Sequence, residues 1–118
     1  MLFRSGAFTD SLTGRGGDDI LEGRGGADSL AGSTGIDTAS YLHSAAAVRA
    51  NLATPANNLG DAAGDIYSLV ENLQGTLFND TLNGSIGANV LYGLSGNDLL
   101  RGNSGADRLE GGADVWTH

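Results

Sequence analysis

Apolar side chains recur along this chain at a fixed interval. Leu91, Leu100 and Leu109 fall nine residues apart, and Leu73 and Leu82 carry the series towards the N-terminus. Leu12, Leu21 and Leu30 form a second series with the same spacing. Polar positions keep step: Gly93, Gly102 and Gly111, Gly96 and Gly105, and Asp98 and Asp107 share the interval. In the earlier series the matching places hold Gly14, Gly23 and Gly32, then Gly17, Gly26 and Gly35, then Asp10, Asp19, Asp28 and Asp37. Each unit reads Gly-x-x-Gly-x-Asp-x-Leu-x, which predicts a short strand centred on Leu between glycine turns. Glycine at both fixed places supplies the positive φ that residues with a Cβ resist. A sharp turn in every unit makes one coil from two units, so equivalent positions stack every eighteen residues, and the leucines point inward as two facing ladders.

The phase is lost between Ser40 and about Val70, where Val48, Ala50 and Leu52 alternate as in a half-buried strand. Pro55, Asn57-Asn58, Gly60-Asp61 and Gly64-Asp65 mark turns there, and Asp61 and Asp65 read as turn residues outside the register. The chain therefore divides into a first repeat block at 8–39, a connecting insert of irregular extra coils at 40–70, and a second block with closing residues at 71–116. Residues 1–7 precede the repeat and are expected to be frayed. Phe8 and Phe78 replace a glycine at the start of each block and read as apolar lids, since arrays need atypical ends. The last unit, Gly111 to Trp116, is short by two residues, with Asp114 ambiguous and Trp116 expected in the leucine slot.

The unit resembles the nonapeptide G-G-x-G-x-D-x-U-x of RTX (hemolysin-type calcium-binding) proteins. That resemblance implies an all-β fold, a right-handed parallel β-roll, with several Ca²⁺ ions between its coils. Stacking sets Asp10 above Asp28, Asp19 above Asp37, Asp80 above Asp98 and Asn89 above Asp107. Coils of a parallel sheet lie ~4.8 Å apart, so carboxylates stacked that way repel until a cation sits between them. Ca²⁺ takes six to eight oxygens, which two carboxylates and turn carbonyls supply. The resemblance also implies the carbonyl ligands. It groups Gly6, Phe8 and Asp10 with Gly23, Gly25 and Asp28, and Arg15, Gly17 and Asp19 with Gly32, Thr34 and Asp37. In the second block it groups Thr76, Phe78 and Asp80 with Gly93, Ser95 and Asp98, and Ser85, Gly87 and Asn89 with Gly102, Ser104 and Asp107. The two Phe positions and Asn89 depart from the family pattern, and a further site at Leu94, Gly96 and Asp98 with Gly111 is damaged by the short last unit.

Composition sharpens this picture. Twenty glycines among 118 residues raise the entropy that folding must overcome, and only 6% of residues are aromatic, so the core is thin. Fourteen acids against six arginines give a net charge of -8, a poor match for nucleic acid or anionic membrane and a good one for a multivalent cation. With no cysteine, disulfides and thiolate zinc sites are excluded. No apolar run approaches a membrane span, and Met1-Leu2-Phe3-Arg4 is too short for a signal peptide. No H-E-x-x-H, G-x-S-x-G, P-loop lysine or EF-hand loop occurs, so no enzymatic activity is expected of the chain itself. His43 reads as a surface or packing residue, and the arginines Arg15, Arg24, Arg101 and Arg108 solvate the outer faces.

These features point to a module that binds calcium and folds on it, and the resemblance implies that it is part of a secreted bacterial protein exported by type I secretion, with a parent catalytic or adhesin domain. The alternative is an adhesion or polysaccharide-binding module, with Tyr92 and Tyr67 as aromatic contacts for a sugar.

Overall fold

The structure is a computed structural model and describes residues 2–4, 6, 8–111 and 115–117. Its strands are β1 (Leu2–Arg4), β2 (Ser11–Thr13), β3 (Ile20–Glu22), β4 (Ser29–Ala31), β5 (Thr38–Ser40), β6 (Arg49–Asn51), β7 (Ile66–Ser68), β8 (Asn72–Gln74), β9 (Thr81–Asn83), β10 (Val90–Tyr92), β11 (Asp98–Arg101), β12 (Arg108–Glu110) and β13 (Val115–Thr117). The only helical pieces among the described residues are single 3-10 turns at Pro55–Asn57 and Gly60–Ala62, so none is long and apolar enough to cross a membrane. Strands are this short because only the residues around each Leu are free of turn chemistry.

Among the described residues every pairing between these strands is parallel, and a lone antiparallel bridge joins Arg49 of β6 to Leu59. One wall of the roll is a six-stranded sheet ordered β1-β3-β5-β8-β10-β12. Opposite it stand a three-stranded sheet, β2-β4-β7, and a four-stranded sheet, β13-β11-β9-β6. Within each repeat block successive strands alternate between the two walls, so each coil takes two units. Register follows the period: Leu12 pairs with Leu30, Leu82 with Leu100, and Leu91 with both Leu73 and Leu109. Leu21, Leu30, Leu73, Leu82, Leu91 and Leu100 are fully buried, and Leu12 and Leu109 at the ends pack partly against them. Each fully buried leucine contributes about 1.5–3 kcal/mol, a modest core for so glycine-rich a chain.

The segment at 40–70 does not separate two rolls. β5 pairs directly with β8, Ala39 against Leu73, so the six-stranded wall runs unbroken through both repeat blocks. After β5 the chain crosses forward to β6, which pairs with β9, and then returns to β7, which pairs with β4. Each trip fills an edge that the nonapeptide units leave open. Val48 and Ala50 are buried and Leu52 partly so, as their alternation predicts.

Four expectations are corrected by the structure. Residues 2–4 are not outside the fold: β1 extends the wall against β3. Phe8 and Phe78 are not lids, being 82% and 46% exposed. In the last strand Thr117 stands opposite Leu100 and Trp116 opposite Leu99, so the backbone register gives the leucine slot to Thr117. Asp114, and the side chain of Trp116, lie outside the described residues.

Positive φ, finally, is not what both glycines of a unit supply. Gly17, Gly26, Gly35, Gly96 and Gly105 at the fourth place have φ from +87° to +100°. The other left-handed position is the second, occupied by Arg15, Arg24, Ser33, Leu94 and Asn103 at +64° to +70°. The first-place glycines answer a different need.

Candidate metal centre

That need is room for a carboxylate. A Cβ on Gly23 would lie 2.2 Å from Oδ2 of Asp28, and one on Gly14 2.6 Å from Oδ2 of Asp19. Gly32, Gly75, Gly93 and Gly102 stand in the same relation to Asp37, Asp80, Asp98 and Asp107, all within 2.8 Å, and Gly84 to Oδ1 of Asn89. Each turn thus folds around the acid, or Asn, that ends it.

The other oxygen ties coil to coil. Oδ1 of Asp28 accepts the backbone N–H of Asp10 at 2.9 Å, and Oδ1 of Asp37 that of Asp19 at 2.9 Å. In the second block Oδ1 of Asp98 accepts from Asp80 N at 2.8 Å, and Oδ1 of Asp107 from Asn89 N at 2.9 Å. All four turn pairs expected from the sequence are therefore brought together. Their carbonyls face the coil above: a Cβ on Gly35, Gly96 or Gly105 would stand 2.2–2.5 Å from the carbonyl oxygen of Gly17, Phe78 or Gly87 respectively.

Four of the stacked acids carry an oxygen that is buried and short of donors. Oδ2 of Asp10, Asp28, Asp37 and Asp98 is shut off from solvent and meets no hydrogen-bond donor among the described residues. Burial pushes the Asp28 carboxyl up to about 6, with the charges of Asp10 and Asp61 adding to the shift. Asp37 and Asp98 move the same way, again chiefly through burial. Buried acceptors that no N–H or O–H reaches are costly unless a proton or a cation satisfies them. Two carboxylates and several carbonyls form an oxygen-only donor set that suits Ca²⁺ better than the smaller, stricter Mg²⁺. Among the described residues no three His, Cys, Asp or Glu side chains converge on one point, so backbone carbonyls must complete any cage.

Two departures from the repeat pattern are satisfied by protein donors instead. Asp80 accepts from Thr76 N at 2.7 Å, Thr76 Oγ1 at 2.8 Å and Val48 N at 2.9 Å. Asn89 accepts from Ser85 N and donates through Nδ2 to the Glu71 carbonyl at 2.6 Å and to Ser85 Oγ. At Thr76 and Ser85 the chain itself donates to the side chains of Asp80 and Asn89, whereas Oδ2 of Asp28, Asp37 and Asp98 meets no donor among the described residues.

Sequence reasoning missed Asp65 and Glu71. Oδ1 of Asp65 accepts from Asp28 N at 2.8 Å, the same link that joins the regular coils, and Asp65 is buried rather than a surface turn residue. Its other oxygen accepts from the Tyr41 hydroxyl at 2.8 Å. Because that proton is committed, the 2.6 Å contact between the two tyrosine hydroxyls has Tyr67 donating to Tyr41, and Asn58 Nδ2 in turn donates to Tyr67 at 2.9 Å. Burial pushes Asp65 up to about 7 even against these hydrogen bonds, and raises both tyrosines. A signal for Asp65 existed: Gly60, Asp65 and Tyr67 keep the Gly, Asp and Leu spacing of a unit, with Tyr67 paired to Leu30. The Tyr67 hydroxyl is thus tied to Tyr41 and Asn58, and both Tyr67 in β7 and Tyr92 in β10 are half-buried.

The outer face of β3 carries the one other buried acid with cationic neighbours among the described residues. Glu22 pairs with Arg4 at 3.2 Å, Arg24 at 3.4 Å and His43 at 2.8 Å. His43 and Arg24 are thus tied to a structural carboxylate on the wall.

Comparison with protein families matches the RTX calcium-binding nonapeptide repeat (4 copies) over residues 4–39, 69–100 and 84–115. No curated protein matches the chain. The repeat is a structural, calcium-binding one, and its arrays take several Ca²⁺ ions. With parallel coils, stacked acids at the period of the repeat and a match over most of its length, the chain belongs to the RTX calcium-binding nonapeptide repeat family.

Proposed function

We propose that this calcium-binding β-roll is the calcium-folded module of a secreted bacterial protein. In the low calcium of the cytosol its stacked acids repel and the chain stays open for type I export; in the millimolar calcium outside, ions draw the coils together. One observation carries the reading: buried Oδ2 atoms of Asp10, Asp28, Asp37 and Asp98, from both blocks, that no donor among the described residues reaches. The ions fall between the four turn pairs, with the carboxylates of Asp10, Asp19, Asp28, Asp37, Asp80, Asp98 and Asp107 and the Asn89 amide oxygen aided by turn carbonyls. Hydrogen-bonded Asp80 and Asn89 make the second-block pairs the weaker ones. The module performs no reaction itself; any activity belongs to a parent domain.

If site affinities match those of extracellular modules, ~10⁻⁴–10⁻³ M, a few millimolar Ca²⁺ contributes about 1–2 kcal/mol per site. Several such sites decide the outcome against a net stability of ~5–15 kcal/mol. Circular dichroism across a calcium titration, with EDTA reversal and a magnesium control, tests this. A disordered spectrum at submicromolar calcium that turns to β at millimolar calcium is expected. A metal-stripped chain as compact and cooperative as the loaded one overturns it.

A further inference from the structure

The link between stacked coils occurs once more where the two repeat blocks meet. Oε1 of Glu71 accepts the backbone N–H of Asp37 at 2.8 Å, just as Oδ1 of Asp37 accepts that of Asp19. Yet the two acids are 34 residues apart, off the nine-residue period. Asp37 is fully buried and its Oδ2 meets no donor among the described residues.

Between β7 and β8 the chain has only Leu69, Val70 and Glu71, too few for a nonapeptide turn. Leu69 adopts φ +51° although its side chain is 66% exposed, so packing does not hold it in this unfavourable conformation. What the conformation delivers is a carbonyl. A Cβ on Gly32 would lie 2.3 Å from the Leu69 carbonyl oxygen and 2.4 Å from Oδ2 of Asp37. Two acceptors crowd one point with no proton between them, and an ion bonded to each at ~2.3–2.6 Å bridges oxygens so placed. The longer arm of Glu offsets the shortened turn, and the 2.6 Å hydrogen bond from Asn89 Nδ2 to the Glu71 carbonyl fixes its backbone.

We propose that Asp37, the Leu69 carbonyl and Glu71 hold a further Ca²⁺ ion at the junction of the blocks, outside the nonapeptide register. This rests on the calcium-folded reading of the roll. The ion ties the first block to the second across the point where the sequence loses its phase.

Calcium stoichiometry of the full chain, measured by equilibrium dialysis with elemental analysis, tests it. Glu71→Gln keeps an acceptor for Asp37 N but loses the charge, and is expected to bind one ion fewer than the wild type. Glu71→Asp keeps the charge but shortens the arm, and is expected to need on the order of tenfold more calcium at that site. Wild-type stoichiometry and affinity in both Glu71 variants overturn the junction site while leaving the module reading intact. A wild type that binds no calcium overturns both. Should Glu71→Gln fail to fold in saturating calcium, Glu71→Asp decides: an unchanged titration overturns the proposal.

Discussion

Replacing Gly23 with alanine puts a methyl carbon where the Asp28 carboxylate lies. The new Cβ would stand 2.2 Å from Oδ2, 2.7 Å from Cγ and 3.0 Å from Cβ of Asp28. The whole carboxylate has to swing away, since contact reaches as far as its Cβ, and Asp28 is anchored from both sides through Asp10 N and Asp65 Oδ1. Overpacking of this kind costs about 1–3 kcal/mol. Displacing Oδ2 also removes an anionic ligand from its site, worth about 1–2 kcal/mol at a few millimolar Ca²⁺ for an affinity of ~10⁻⁴–10⁻³ M. Together they come to roughly 2–5 kcal/mol, a large part of a typical net stability. Gly87→Ala is the control: the nearest atom to its Cβ is Ser85 Oγ at 4.0 Å and its φ is not positive, so a change within about ±0.5 kcal/mol is expected. Calcium titrations followed by circular dichroism should show a raised midpoint for Gly23→Ala and none for Gly87→Ala. Equal midpoints for the two variants would refute the idea that first-place glycines exist to admit the acid.

Two more predictions concern the buried acids. Asp28 and Asp65 have folded pKa values near 6 and 7, above the 3.8 of the free side chain, so the folded metal-free chain holds more protons than the unfolded one between pH 4 and 7. The residual folded fraction of the metal-free chain should therefore fall as pH rises through that window, while calcium affinity rises; a metal-free chain with more β signal in circular dichroism at pH 8 than at pH 4.5 would reverse the sign. Tyr41→Phe strips the donor from Asp65 Oδ2 and the acceptor from the Tyr67 hydroxyl, both enclosed, and should cost about 1–3 kcal/mol in urea unfolding at saturating calcium. A loss below 0.5 kcal/mol, within the range of ordinary surface changes, would show that the hydrogen-bonded chain from Asn58 to Asp65 contributes little.

The wall ladders were legible because one residue type, Leu, holds one slot in unit after unit. The same holds for the acids from Asp10 to Asp37 and from Asp80 to Asp107, whose coil-to-coil bonds fall at the predicted separation of 18. Asp65 escaped because Tyr67 replaces the leucine and Gly64 sits one place late. Glu71 escaped because its partner lies 34 residues back, a distance fixed by how far the chain wanders rather than by any period. Nor does local sequence reveal that β6 runs ahead to β9 before β7 turns back to β4. That order follows from which strand edges remain unpaired, a property of the assembled coils. Why a glycine is needed is likewise a property of the folded turn: the first and fourth glycines look alike in sequence, but one admits a carboxylate and the other allows a left-handed turn.

Because Ala39 and Leu73 are neighbours in an unbroken wall, the residues that part them in sequence form a detour whose length the wall never measures. Doubling such an excursion costs only ~0.6 kcal/mol in closure entropy. Its exposed stretch around Ala53 and Thr54 is thus a natural graft point, where a foreign sequence or whole domain can be spliced in and presented without shifting the pitch of the coils beneath.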